Sequence, residues 1–520
     1  MIILRSLARR GLWVALVSLF VGTLPVRAQS YLRPTDRSDR VLEALERLQA
    51  FGALDTIPTG QRLGLERTIR LALESDDGRS PARTDALEQL VSVPPRVAAM
   101  EMSLGWVDAN GRGIPGNGLG PIDATIAPLA QDRGGRKLDD GLNWTVEPTF
   151  GWRSGEWSFQ ARARVRWLAE GGADLREGRV QELWAEGPVG SLYISAGRAP
   201  MVWGSTALGG VLLSGRARAL DQVSVGSDGT FRLPWILRHL GPARLSLSAA
   251  RLEGARAVPH SFIVGYRLNL KPTPSVELGL SALVHSGGEG SPAASFRQRL
   301  VDHLILIEGV TETSGLEISN KFVEGDVQWR IPGTRGSRAY LSVALDDLGK
   351  PDQLGRVFGQ DGSYVVGVAI PRLEADGRIG IKAEYHETGV RFYRHGQFAS
   401  GLTTDGIILG DGLGPDGRGG YIAVVVRPNV SDRVVIQVAR EERSNDFYAI
   451  EANFRLSKVI DLPEETRTRL LVDWERNWPN RNLGGVVRVG YERVSNFGFT
   501  GAAVREGALV EIRTVLWLHR

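Results

Sequence analysis

The chain has 520 residues, a formal net charge of only +4, and no cysteine. These values exclude a disulfide framework and thiol chemistry, and they give no electrostatic footprint for nucleic acid. The mean hydropathy of -0.12 resembles that of a soluble protein, but a membrane barrel that alternates lipid-facing and lumen-facing residues also averages near neutral.

The first residues read as an export leader, residues 1–28. Arg5, Arg9 and Arg10 form a basic start, residues 11–23 are apolar but short for a bilayer span, and Val26-Arg27-Ala28 suits cleavage. No later apolar run is long enough for a membrane helix. Residues 29–97 predict a small N-terminal α-helical segment. Val41, Leu42, Leu45 and Leu48 recur at helical spacing after Ser38-Asp39, with Gly52 as a stop. Leu65, Ile69, Ala72 and Leu73 form a second stripe, and Ser80-Pro81 opens a third helix that Pro94-Pro95 ends. Such short helices bury little alone and must pack on the rest of the protein. An independent partner-binding helical module is the alternative.

From about Met100 to the end the period becomes two. Trp157, Phe159, Ala161, Ala163, Val165 and Trp167 alternate with Gln160, Arg162, Arg164 and Arg166. Three guanidinium groups on one strand face require water or anionic partners, while the opposite face ends in tryptophans, as a membrane-interface belt does. Similar alternation recurs at 262–271, 276–285, 323–331, 448–456 and 487–492. Short turns such as 270–274 alternate with long loops such as 286–299 and 410–420, the pattern of an outer-membrane barrel. Residues 98–520 therefore predict an all-β fold, a transmembrane, antiparallel outer-membrane β-barrel of about 16–18 strands at about 10 residues per strand plus connections. The last strand is expected from Glu511 onward. It ends in Leu518-His519-Arg520, without the terminal aromatic residue that barrel insertion machinery commonly reads.

Between strands, residues 197–256 concentrate Trp203, Arg216, Arg218 and Trp235 in loops around the apolar run Val211-Leu212-Leu213. A second group, Tyr385, His386, Arg391, Tyr393 and His395, surrounds a turn. Aromatic faces with planar polar donors suit sugars, and acidic sugars add a need for arginine. Girdle positions and plain lumen lining are the competing readings for these residues, including Arg162, Arg164 and Arg166. Two G-x-G-x-x-G strings, at Gly111–Gly116 and Gly412–Gly417, lie in loops with no following helix and give no dinucleotide site. His386-Glu387 lacks a second histidine at position 390, the seven histidines show no metal spacing, and no nucleophile elbow is present. No catalytic set, cofactor or metal is expected.

A string of residues resembles the capsule assembly Wzi family of outer-membrane proteins. It comprises Trp203-Gly204, Leu212-Leu213-Ser214, Ala217-Arg218, Trp235, Leu240-Gly241-Pro242, Leu252-Glu253 and Arg256. It continues with Gly265-Tyr266-Arg267, Pro274, Glu277 to Ser281, Gly287 to Gly290, Glu384-Tyr385, Tyr393, His395, Gly401 and the loop from Gly410 to Gly419. Val202 stands where the family usually has a second tryptophan, and Ser205 follows Gly204 in place of a proline. The resemblance implies a barrel with a helical bundle at its periplasmic end. It also implies a lectin-like role in binding and organising capsular polysaccharide, or a related exopolysaccharide, by many weak non-covalent contacts. The expected surroundings are outer-membrane lipid and the insertion machinery. A porin-like channel for anionic solutes and a barrel enzyme acting on lipid or glycan are the alternatives.

Overall fold

A computed structural model describes residues 45–52, 54–69, 96–169, 173–204, 206, 210–304, 318–346, 357–429, 431–451 and 455–519. The leader, the third helix, and the parts of the other two helices outside 45–50 and 65–69 lie outside the described residues.

Eighteen strands close into one antiparallel barrel. They are β1 (Arg96–Asp108), β2 (Gly141–Ser154), β3 (Trp157–Ala169), β4 (Ala173–Val189), β5 (Leu192–Ala199) and β6 (Leu220–Ser227). Next come β7 (Pro242–Arg251), β8 (Phe262–Thr273), β9 (Val276–Ser286), β10 (Ser319–Arg330), β11 (Arg338–Asp346) and β12 (Gly362–Ile370). The ring is completed by β13 (Ile379–Thr388), β14 (Gly417–Val426), β15 (Asp432–Arg443), β16 (Glu465–Trp478), β17 (Leu483–Ser495) and β18 (Val504–His519). Each strand pairs with its neighbours in chain order, and β18 returns to β1 with Leu104 opposite Ile512. Closure leaves no open edge, as a span through lipid requires. The last strand starts at Val504, earlier than the alternation around Glu511 suggested.

The period-two pattern is realised on two faces. Leu104, Leu245, Leu247, Leu280, Val368, Val438 and Ile512 point outward and are exposed. Trp144 stacks on Trp167 near one end of the barrel, with ring centroids 4.8 Å apart, and Trp152 stacks on Phe159 near the other, at 5.1 Å. These are the two girdles that flank an apolar band.

The inward face is charged and paired. Arg162 bonds Glu147 at 2.8 Å and also meets Glu182, its register partner on β4. Arg164 bonds Glu147 at 2.8 Å, Arg267 reaches Asp326 at 2.8 Å, and Arg467 reaches Glu492 at 2.7 Å. The guanidinium groups therefore find carboxylates on nearby strands, which offsets the large cost of burying them.

Two sets of connections occupy the ends. At one end the strands join through short turns such as 155–156, 190–191, 274–275 and 427–431, with 228–241 the longer exception. At the other end lie the long loops 109–140, 200–219, 287–318, 389–416 and 444–464. The alternation at 448–456 does not belong to a barrel strand. Phe447–Ile450 and Leu456–Ile460 form a separate hairpin inside the long loop between β15 and β16. A hairpin and a barrel strand share the same local period, so only the pairing partner separates them.

The helical segment packs on the short-turn end. Leu45, Leu48, Leu65 and Ile69 are buried. Arg330 of β10 donates to the Gln49 carbonyl at 2.5 Å, and Arg372 donates to the Ala50 carbonyl at 3.0 Å. Between the helices, Ile57–Gln61 runs into the barrel. Glu277 of β9 accepts the backbone N–H groups of Thr59, at 2.8 and 2.9 Å, and of Gly60, at 2.9 Å.

Candidate functional site

The long-loop end is built as a plug. Trp203, Val211, Leu212, Leu213, Phe392, Tyr393, Leu402 and Ile407 form a buried apolar cluster with Ile263, Leu283 and Phe322 from the barrel wall. The run Val211-Leu212-Leu213 is thus apolar because it fills the lumen. Gly265 makes room for it, since a Cβ there would stand 2.3 Å from the Trp203 ring. Inside the barrel the plug meets the N-terminal segment. The Gly204 N–H donates to the Gly60 carbonyl at 3.0 Å, and Gln61 forms a bridge with Trp203.

Polar side chains tie the loops to one another. Arg256 donates to the carbonyls of Gly401 and Thr403, both at 2.9 Å. Glu253 accepts the Thr404 hydroxyl at 2.5 Å and the Asp405 N–H at 3.0 Å. Arg394 donates to the Pro115 carbonyl at 3.0 Å and also to that of Gly120, joining loop 389–416 to loop 109–140. Burial holds Asp416 up at about 6, with the nearby Asp446 pushing the same way.

The sequence candidates divide by environment. Arg162, Arg164 and Arg166 line the lumen and are buried in ion pairs. Trp203 and Tyr393 are plug core. Tyr393 is 0% exposed, adopts a left-handed backbone (φ 70°), donates its hydroxyl to the Val211 carbonyl at 2.5 Å and accepts the Asp411 N–H at 2.7 Å. His386 is buried on the inward face of β13, with Nδ1 2.5 Å from Asp411 and Nε2 2.8 Å from Glu384. Both ring nitrogens are engaged, so the imidazole is a brace between plug and wall. Burial opposes ionisation of Asp411, but His386 beside it holds the carboxyl below its ordinary range.

Tyr385 points outward, a girdle position, with its hydroxyl 3.0 Å from Glu387. Arg391 and His395 are only partly buried in loop 389–416. Arg391 forms a two-pronged pair with Asp361 at 2.5 and 2.8 Å, and His395 lies against the Phe398 ring at 5.5 Å. Arg216 and Arg218 are also half-buried, beside the 131–137 hairpin, where the Gly135 N–H donates to the Arg216 carbonyl at 2.8 Å. One group was missed. The amide of Gln397, between His395 and Phe398, is buried, with no partner for either Oε1 or Nε2 among the described residues. A lone glutamine in a loop carries no sequence signal for this.

Among the described residues, no cluster of histidine and carboxylate side chains is arranged to hold a metal.

Comparison with known proteins places this geometry. Among solved structures, the chain is similar to Wzi of Escherichia coli, an outer membrane protein involved in group 1 capsule assembly and a carbohydrate-binding β-barrel. The identity is 16% and the TM-score 0.64, over 94% of this chain and 99% of that one. OccD3 of Pseudomonas aeruginosa is more distant, at 9% identity and a TM-score of 0.44 over 82% of this chain and 91% of that one. An uncharacterized 55.8 kDa protein in the cps region of Klebsiella pneumoniae is 30% identical over 145 residues, 27% of this chain and 28% of that protein. That match spans little more than a quarter of the relative's length. The model of the capsule assembly protein Wzi family matches residues 123–502. This chain belongs to the Wzi capsule assembly family.

Proposed function

We propose that the protein stands in the outer membrane as a closed, lectin-like barrel that holds capsular or related surface polysaccharide and organises it during capsule assembly. The observation that carries this reading is the filled lumen, in a member of this family. The cross-tied loops, the paired inner arginines and the N-terminal segment occupy the space an anion channel would need. What faces outward is a platform of braced loops. Contacts from partly open groups such as Arg391 and His395 suit acidic and hydroxylated sugars. Weak contacts along a repeating polymer add through effective concentration, so no deep pocket is required.

Residues 1–28 act as a cleaved leader in this reading, and residues 29–97 face the periplasm. Outer-membrane lipid and the barrel insertion machinery are then its surroundings. The mode of action is binding, without catalysis. The test pairs two measurements on the full chain in detergent or planar bilayers. Retention of purified acidic capsular polysaccharide, weakened about tenfold in an Arg391→Ala/His395→Ala variant, is the expected result. An open, anion-selective conductance with no polysaccharide retention would overturn the reading in favour of a channel. Glycan or lipid turnover lost on replacing one carboxylate would favour an enzyme.

A further inference from the structure

The longest connection at the short-turn end, residues 228–241, carries a short 3-10 helix of about two turns, Trp235–Leu240. Its apolar side chains are turned away from the protein: Trp235 is 87% exposed and Ile236 79%. Trp235 also holds a left-handed backbone, φ 54°, a conformation unfavourable for an L-residue other than glycine. Next to this greasy tip lies a cavity of about 370 Å³, lined by Arg232, Arg238, His239, Lys271, Thr56 and Thr273 among others, with no carboxylate in its described lining. The side chains of Arg232, Arg238 and His239 make no hydrogen bond or ion pair with the described residues. Lys271 is held from behind by the Ile57 carbonyl at 3.2 Å, with its counter-charge Glu277 at 4.0 Å. Arg232, Arg238 and His239 stand exposed over a closely packed floor. Gly241, at φ 78°, packs so closely on the next hairpin that a Cβ there would stand 2.0 Å from the Lys271 carbonyl.

Unpaired guanidinium groups around a hollow with no carboxylate in its described lining suit a phosphate, which they grip bidentately. An adjoining cluster of tryptophan and aliphatic side chains suits the boundary of a bilayer. We propose that this notch binds the phosphodiester headgroup of a membrane phospholipid, whose acyl chains lie along Trp235, Ile236 and Leu237. The site rests on the barrel standing in a membrane and is independent of the polysaccharide reading.

Native mass spectrometry of the full chain in non-ionic detergent tests it, with phosphatidylglycerol, diacylglycerol and inorganic phosphate as probes. Wild-type protein is expected to retain one phosphatidylglycerol at least tenfold better than diacylglycerol. Arg232→Ala/Arg238→Ala is expected to lose that retention about tenfold, and Arg238→Lys to keep part of it. Equal retention of phosphatidylglycerol by wild type and double variant overturns the site. Equal retention of diacylglycerol overturns the headgroup role, and inorganic phosphate binding as tightly as the lipid overturns the membrane source. Heat-modifiable gel mobility reports whether each variant is folded. Should the double variant fail to fold, the headgroup comparison on wild type and Arg238→Lys decides.

Discussion

Glu277→Ala should release the N-terminal segment from the barrel without dissolving the barrel itself. The carboxylate is 2% exposed and gathers the Thr59 N–H, the Thr59 hydroxyl at 3.0 Å, the Gly60 N–H at 2.9 Å and the Asn269 amide at 3.2 Å. Removing it strands two backbone donors where water is scarce and leaves Lys271, 4.0 Å away, without its counter-charge. Hydrogen bonds to charged groups contribute about 1.5–3 kcal/mol each, and breaking a buried ionic cluster typically costs about 3–5 kcal/mol. About 4 kcal/mol corresponds to roughly a thousandfold rise in the local opening equilibrium. Hydrogen exchange by mass spectrometry reads this directly at residues 57–63, with a β16–β17 peptide as the internal control. Glu277→Gln should fall between, because its Nε2 presents a donor to a backbone donor. The Gly60 carbonyl also holds Gly204, so faster exchange should spread to residues 203–204. Unchanged protection of Thr59 and Gly60 in the alanine variant would refute the anchoring role.

Gly265→Val places methyl groups where the Trp203 ring already lies; overpacking costs about 1–3 kcal/mol, so the thermal midpoint should fall, and a Trp203→Phe background should recover part of the loss. An unchanged midpoint would mean that the plug does not depend on this clearance. Asp416 gives a pH dependence: burial raises its folded pKa to about 6 from 3.8, so the stability it contributes is present at acid pH and is lost as pH rises through about 6. Two pKa units correspond to about 3 kcal/mol at most, and partial exposure cuts that to about 1 kcal/mol. Asp416→Asn, which also suits the left-handed φ of 56°, should flatten the pH profile of loop proteolysis between pH 4.5 and 7.5; the same profile in both proteins would discount this carboxyl.

Barrel architecture was legible because membrane strands impose a strict period. Arg162, Arg164 and Arg166 alternate with Phe159, Val165 and Trp167, and the structure turns the first set inward and the second outward. The hairpin at 447–460 shows where that signal fails. Its alternation is as clean as a barrel strand's, yet nothing local says whether the partner is the next barrel strand or the same loop. The partners of the inner arginines were equally hidden. Arg162 and Glu182 are twenty positions apart and meet only because β3 and β4 pair in that register.

The candidate site was legible in part, and the division has a physical cause. Many residues that carry the family resemblance turn out to be frame: Gly265 clears Trp203, Gly279 clears Arg267 and Asp326, Glu277 holds Thr59 and Gly60, and Glu253 and Arg256 clamp loop 389–416. Each answers a demand that tolerates few substitutes, a missing Cβ or a buried charge of fixed reach. Partly exposed loop groups such as Arg391, outside that string, answer no such demand. A pattern of single residues therefore identifies the plugged barrel and is nearly silent on the surface that would meet a sugar. It follows that glycan preference can change through loop substitutions while the frame is kept, and that replacing frame residues such as Trp203 or Tyr393 should lower stability before it alters which polymer is held.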